Sequence, residues 1–138
     1  MRSETEPRVL VIDDNSAYAE TLAAILNMSG FQATAVNSGK QGLEIARANT
    51  FDHLVTDVMM EAMNGIEAAI AIREILPNCH ILLISGHNDS AQLLASAIAQ
   101  GHHFEILAKP FHPTVLLEQM RAQSPPTNQR AAPQSETP

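Results

Sequence analysis

Five polar residues stand at the carboxyl ends of the most apolar stretches of this chain. Asp13 and Asp14 follow Val9 to Ile12, Asp57 follows Leu54-Val55-Thr56, Ser85 follows Ile81 to Ile84, and Lys109 follows Ile106-Leu107-Ala108. An acid at the end of a buried strand costs several kcal/mol unless it is hydrogen-bonded, bound to a metal or placed where the sheet opens to water. One isolated aspartate is read most simply as the cap of the following turn. Three carboxylates brought close together repel one another unless a divalent cation or Lys109 offsets their charge. Oxygen ligands in a half-open site with room for water suit Mg²⁺ better than zinc, so Asp13, Asp14 and Asp57 are the candidate metal ligands.

The elements that must position these residues alternate along the chain. Apolar strands are expected over Arg8–Ile12, Phe31–Val36, the segment Phe51–Met60 around Asp57, Cys79–Ile84 and His103–Ala108. Helical spacing follows each of them. Asn15 or Ser16 caps the first helix and Gly30 stops it; Ser38 opens the second, which ends near Thr50; Gly65 leads into the third, which Pro77 ends. Asn88–Ala99 and Thr114–Arg121 read as the last two. Five strands alternating with five helices give an α/β doubly wound parallel sheet with helices on both faces, whose carboxyl edge gathers all five polar residues.

Composition bounds the rest. A chain of 138 residues, 45% of them hydrophobic, is long enough for one domain with one core. The formal charge is −7 and the eight basic residues are scattered, which argues against nucleic-acid binding. Cys79 is the single cysteine, which excludes an internal disulfide. The N-terminus lacks the order of a signal peptide, and no apolar run approaches the ~20 residues of a membrane span, so a cytoplasmic protein with no membrane partner is expected. Residues 1–122 are expected to form the domain and 123–138, which hold four of the eight prolines, a disordered tail.

The constellation resembles the receiver domain of two-component response regulators, in particular the stand-alone, chemotaxis-regulator-like kind. The residues that carry the resemblance are Asp13 and Asp14 after VLVI, Asp57 in LVTDVMM, Gly65 in the next loop, Ser85 in LLISG, and Lys109-Pro110 in LAKPF, and it covers about Arg8 to Ala122. It implies the flavodoxin-like strand order 2-1-3-4-5, with Asp57 as phosphoacceptor. Asp13, Asp14 and Asp57 would bind Mg²⁺ together with the backbone carbonyl of Met59. Lys109 would contact the phosphoryl group, Ser85 would follow it with its hydroxyl, and the bond before Pro110 would be cis. The partners implied are a histidine kinase or histidine phosphotransfer protein as donor, and a downstream protein docking on helix four, strand five and helix five. The resemblance implies a signalling protein that catalyses only its own phosphorylation and dephosphorylation. No output domain is expected after the receiver, so its signal would pass to a separate partner.

Two residues depart from the family's pattern. Glu61 stands where many receivers have proline, which makes that loop more acidic, and Ile106 stands where most have Tyr or Phe as the switch residue. Other readings of the chain are a receiver-fold interaction module with little switching, which Ile106 favours, and a small aspartyl-phosphate hydrolase, for which no cap domain is present. The six histidines are spread over different elements and are read as non-catalytic; His87, two residues after Ser85, is the one expected to overhang the site. Met59, Met60 and Met63 are read as loop packing.

Overall fold

A computed structural model of the chain describes residues 6–86 and 90–123. Five strands are present, β1 (Arg8–Ile12), β2 (Gln32–Val36), β3 (His53–Asp57), β4 (His80–Ser85) and β5 (Glu105–Ala108). They alternate with α1 (Ser16–Asn27), α2 (Gly39–Ala48), α3 (Gly65–Ile75), α4 (Ser90–Ala99) and α5 (Pro113–Gln123). All pairings are parallel and the spatial order is β2-β1-β3-β4-β5, so the chain reverses direction across the sheet at β1 and β3. The expected fold is therefore the observed one.

Side chains alternate across a strand with period two, and here that alternation divides the core. Val9, Val11, Val55, Leu82, Ile84 and Leu107 pack against α1 and α5 through Leu22, Leu26, Leu116 and Met120. Leu10, Ile12, Leu54, Ile81 and Leu83 face the other way, against Leu43 and Ala46 of α2, Ile66, Ala69 and Ile72 of α3 and Ala97 of α4. Both faces of β1, β3 and β4 are thus covered, which explains why these strands read as continuous apolar runs. Each fully buried Leu or Ile contributes ~1.5–3 kcal/mol, so the three central strands are the rigid part on which a site can be held.

The starts of α1, α2 and α3 are capped as their sequences suggest. The Asn15 side chain accepts from the Tyr18 N–H, Ser38 from Gln41, and Asn64 forms a reciprocal box with Glu67. Some boundaries differ from the expected ones. Ser85 is the last residue of β4 rather than its terminator, because its carbonyl accepts from the Lys109 N–H and extends the ladder to β5. Strand β5 begins at Glu105, two residues late. Phe104 lies outside it, stacked on His102 and under the guanidinium of Arg73 from α3, 4.5 Å from the ring centroid. The tail expected over 123–138 lies outside the described residues, apart from Gln123, which ends α5.

Candidate functional site

The carboxyl edge of the sheet brings β1, β3, β4 and β5 to one point. Strand register sets the level: Ile12 lies beside Thr56, Asp57 beside Ile84, and Ser85 beside Ala108. Asp13, Asp57 and Lys109 are therefore the first residues that each strand carries past, or to, the rim.

Asp13 is buried and Asp14 exposed, although they are neighbours. The Asp13 backbone is tied to β2 by its N–H to the Val36 carbonyl, and its carboxylate accepts from the Asn15 N–H at 3.0 Å. Burial, first of all, raises the Asp13 pKa above its ordinary value, and the nearby Asp57 and Asp14 charges push the same way, against the opposing pull of the Asn15 hydrogen bond and Lys109. Asp14 turns to the loop after β3 and accepts from the Glu61 N–H at 3.3 Å. The acid that replaces the common proline thus uses its backbone to tie the loop to the cluster. That loop also contains Ala62, whose φ of 63° lies in the left-handed region.

Asp57 completes the cluster. Carboxylate oxygens of Asp13, Asp14 and Asp57 all lie within 4.8 Å of one another, a spacing that suits one small, hard cation with water completing its shell. The backbone behind Asp57 is fixed by the Val58 N–H on the Ile84 carbonyl and the Gly65 N–H on the Val58 carbonyl. Gly65 is required there, since a Cβ on it would fall 1.9 Å from the Asp57 carbonyl oxygen.

Lys109 enters from β5. Its Nζ is 3.4 Å from Asp57 Oδ2 and 4.0 Å from Asp13 Oδ2, so one cation touches two of the three acids. The Lys109-Pro110 bond is cis, as the resemblance implies. Ser85 ends the strand beside it, and the Met59 backbone follows Asp57 by two residues with its side chain 37% exposed. Met60 and Met63 pack against the core, as expected of loop methionines. His87 lies outside the described residues. His53 is buried at the opposite edge of the sheet, against Phe31 and His80.

Sequence reasoning missed Tyr18. Its ring lies under the Lys109 ammonium, 4.7 Å from Nζ to the centroid, and burial raises the phenol pKa above its ordinary value. The available signal was position: Tyr18 is the sole tyrosine, four residues beyond Asp14 in the first turn of a helix that starts at the rim.

The family model described as the response regulator receiver domain matches residues 9–121. The chain belongs to this family. Among curated relatives, a response regulator receiver protein of Anaeromyxobacter sp. (strain Fw109-5) is 38% identical over 80 residues, 58% of this chain and 34% of that one. Response regulator MprA of Mycobacterium ulcerans (strain Agy99) is 31% identical over 115 residues, 83% of this chain and 49% of that one. This receiver spans about half or less of the length of these two relatives. Among solved structures, chemotaxis protein CheY4 of Vibrio cholerae superposes with a TM-score of 0.75 at 25% identity, covering 86% of this chain and 98% of that one. No helix among the described residues is long and apolar enough to cross a membrane.

Proposed function

We propose that this receiver accepts a phosphoryl group on Asp57 from a histidine kinase or histidine phosphotransfer protein, in a Mg²⁺-dependent reaction, and signals by a change of conformation to a partner protein. The observation that carries the reading is the meeting of three carboxylates within 4.8 Å with the Lys109 ammonium 3.4 Å from one of them. A purely structural acid at a strand end has no use for two further acids and a lysine at the same point.

The roles follow from the chemistry. A carboxylate oxygen of Asp57 attacks phosphorus in line, a new O–P bond forms, and the donor's bond to phosphorus breaks. The electron pair leaves with the donor atom, an imidazole nitrogen that takes up a proton, or the acetate oxygen when acetyl phosphate is the donor. The protein supplies position and charge neutralisation. Asp13, Asp14 and Asp57, with the Met59 carbonyl, would hold Mg²⁺, which when bound offsets charge on the phosphoryl oxygens. Lys109 already faces the Asp57 oxygen and offers its ammonium to the group placed there. Ser85, at the end of β4, offers its hydroxyl to the same group and so couples the site to the segment leading into α4. The chain acts on its own phosphoryl group and on no separate substrate.

The second reading, an interaction module with little switching, is favoured by Ile106. It lies on the α4 side of β5 beside Leu83 and is 42% exposed, with neither the reach nor the hydroxyl of a tyrosine. Both readings share an output face of α4, β5 and α5. Incubation with acetyl phosphate separates them. The first expects Mg²⁺-dependent, alkali- and hydroxylamine-labile phosphate on the protein, lost with chelator and with Asp57→Asn; a wild-type protein that stays unlabelled would leave only the second.

A further inference from the structure

We propose that Tyr18 is a positioning residue for Lys109, its ring holding the ammonium against the Asp57 carboxylate from the side the acids leave open. This rests on the role given to Lys109 above. Nζ is within reach of both attractions, 4.7 Å from the ring centroid and 3.4 Å from Asp57 Oδ2. The ring is held in place. Tyr18 packs against the core face that contains Ala19 and Leu22, and its N–H is bound by the Asn15 side chain at 3.1 Å. A Cβ at Gly86 would come within 3.3 Å of Lys109 Cδ, so the stem of the lysine runs close along the Gly86 backbone.

The ring does what the acids cannot do alone. A lysine stem has many rotamers, and an ammonium that is itself partly exposed and held by carboxylates alone loses its aim once those oxygens are taken by another cation. A divalent cation among Asp13, Asp14 and Asp57 would compete with Lys109 for those same oxygens. The neutral ring attracts the ammonium through its face and is not a ligand for a hard cation, so its hold persists when the metal is bound. Tyr18 thereby keeps the lysine aimed at the phosphoryl position in the state that reacts.

The test is the initial rate of phosphorylation by acetyl phosphate at saturating Mg²⁺ for the full chain and for Tyr18→Leu, Tyr18→Phe, Lys109→Ala and the Tyr18→Leu/Lys109→Ala pair. Tyr18→Leu is expected to slow the reaction about fivefold without changing Mg²⁺ affinity, and Tyr18→Phe to restore most of the loss, because the ring face carries the effect. In the pair, Tyr18→Leu should add nothing to the loss from Lys109→Ala, since the ring acts only through that ammonium. Losses that multiply in the pair, or a Tyr18→Leu protein as fast as wild type while Lys109→Ala is slow, would overturn the proposal and leave the Lys109 role standing. A Lys109→Ala protein as fast as wild type would instead remove the Lys109 role, and Tyr18's with it. Should Tyr18→Leu fail to fold, phenylalanines of increasing fluorine content at position 18 keep the shape while weakening the ring face; a rate that falls along the series supports the proposal, and a flat series overturns it.

Discussion

Asp13 shows at a single residue how the site trades stability for binding. Burial raises its folded-state pKa above the ordinary value of 3.8 that it keeps in the unfolded chain. The stability this residue contributes is therefore complete below that value and lost as the pH rises through the folded-state pKa, above which the buried carboxylate is a cost. Asp13→Asn should stabilise the protein at pH 7 in chelator by on the order of 1 kcal/mol, with the gain shrinking toward zero as the pH falls to about 4. Excess Mg²⁺ should reverse the sign at pH 7, because only the wild type keeps the full ligand set. Thermal melts of both proteins, with chelator and with Mg²⁺, check both statements. Gly65 is the second case. A methyl group there collides with the carbonyl of Asp57, so Gly65→Ala should cost about 2–3 kcal/mol in urea unfolding and displace the acid as well. Asp13, Asp14, Asp57, Ser85 and Lys109 were legible in the sequence because each interrupts an apolar run at its end. Tyr18 was not, because an aromatic residue in the first turn of an amphipathic helix looks like any other core contact until the lysine from β5 is laid across it.

At the scale of elements, the central strands were readable and the fifth was not fully so. Strands β1, β3 and β4 are covered on both faces and announce themselves as unbroken apolar runs. Strand β5 lies at the sheet edge, where three of its four residues are exposed, and the clasp of Arg73 on Phe104 and on the His103 carbonyl holds the preceding residues to α3 instead of to the sheet. That clasp joins residues about thirty positions apart, which no local pattern reveals. Phe104, on the strand-five face by period-two counting, is thus already engaged elsewhere and does not stand in for the missing switch aromatic. Phosphorylation is expected to act through Ser85 and α4 while Ile106 stays in place. Amide spectra of the free and beryllofluoride-bound protein test this route. Large shifts from Ser85 through Leu94 with little change at Ile106 are the expected result, and a displacement of β5 equal to that of α4 would show that the switch runs through the strand after all. A coupling of ~1 kcal/mol leaves both conformations populated.

The described residues form one sheet, flanked by helices, whose carboxyl rim carries the acids and whose amino rim buries His53. The chain's −7 charge and scattered cations disfavour a phosphate backbone, so no retardation of a defined DNA fragment is expected at ~0.15 M salt. Gel retardation across a protein titration checks this. The proposed function rests on a single covalent event, phosphoryl transfer to Asp57. Its most direct measurement is to locate the phosphoryl group by reducing the acyl phosphate with borohydride after acetyl phosphate and Mg²⁺ treatment, then sequencing the peptides by mass spectrometry. A single modified residue at Asp57, absent from Asp57→Asn, is the expected result; modification at Asp13, Asp14 or any other residue in the wild type, with Asp57 untouched, would contradict it.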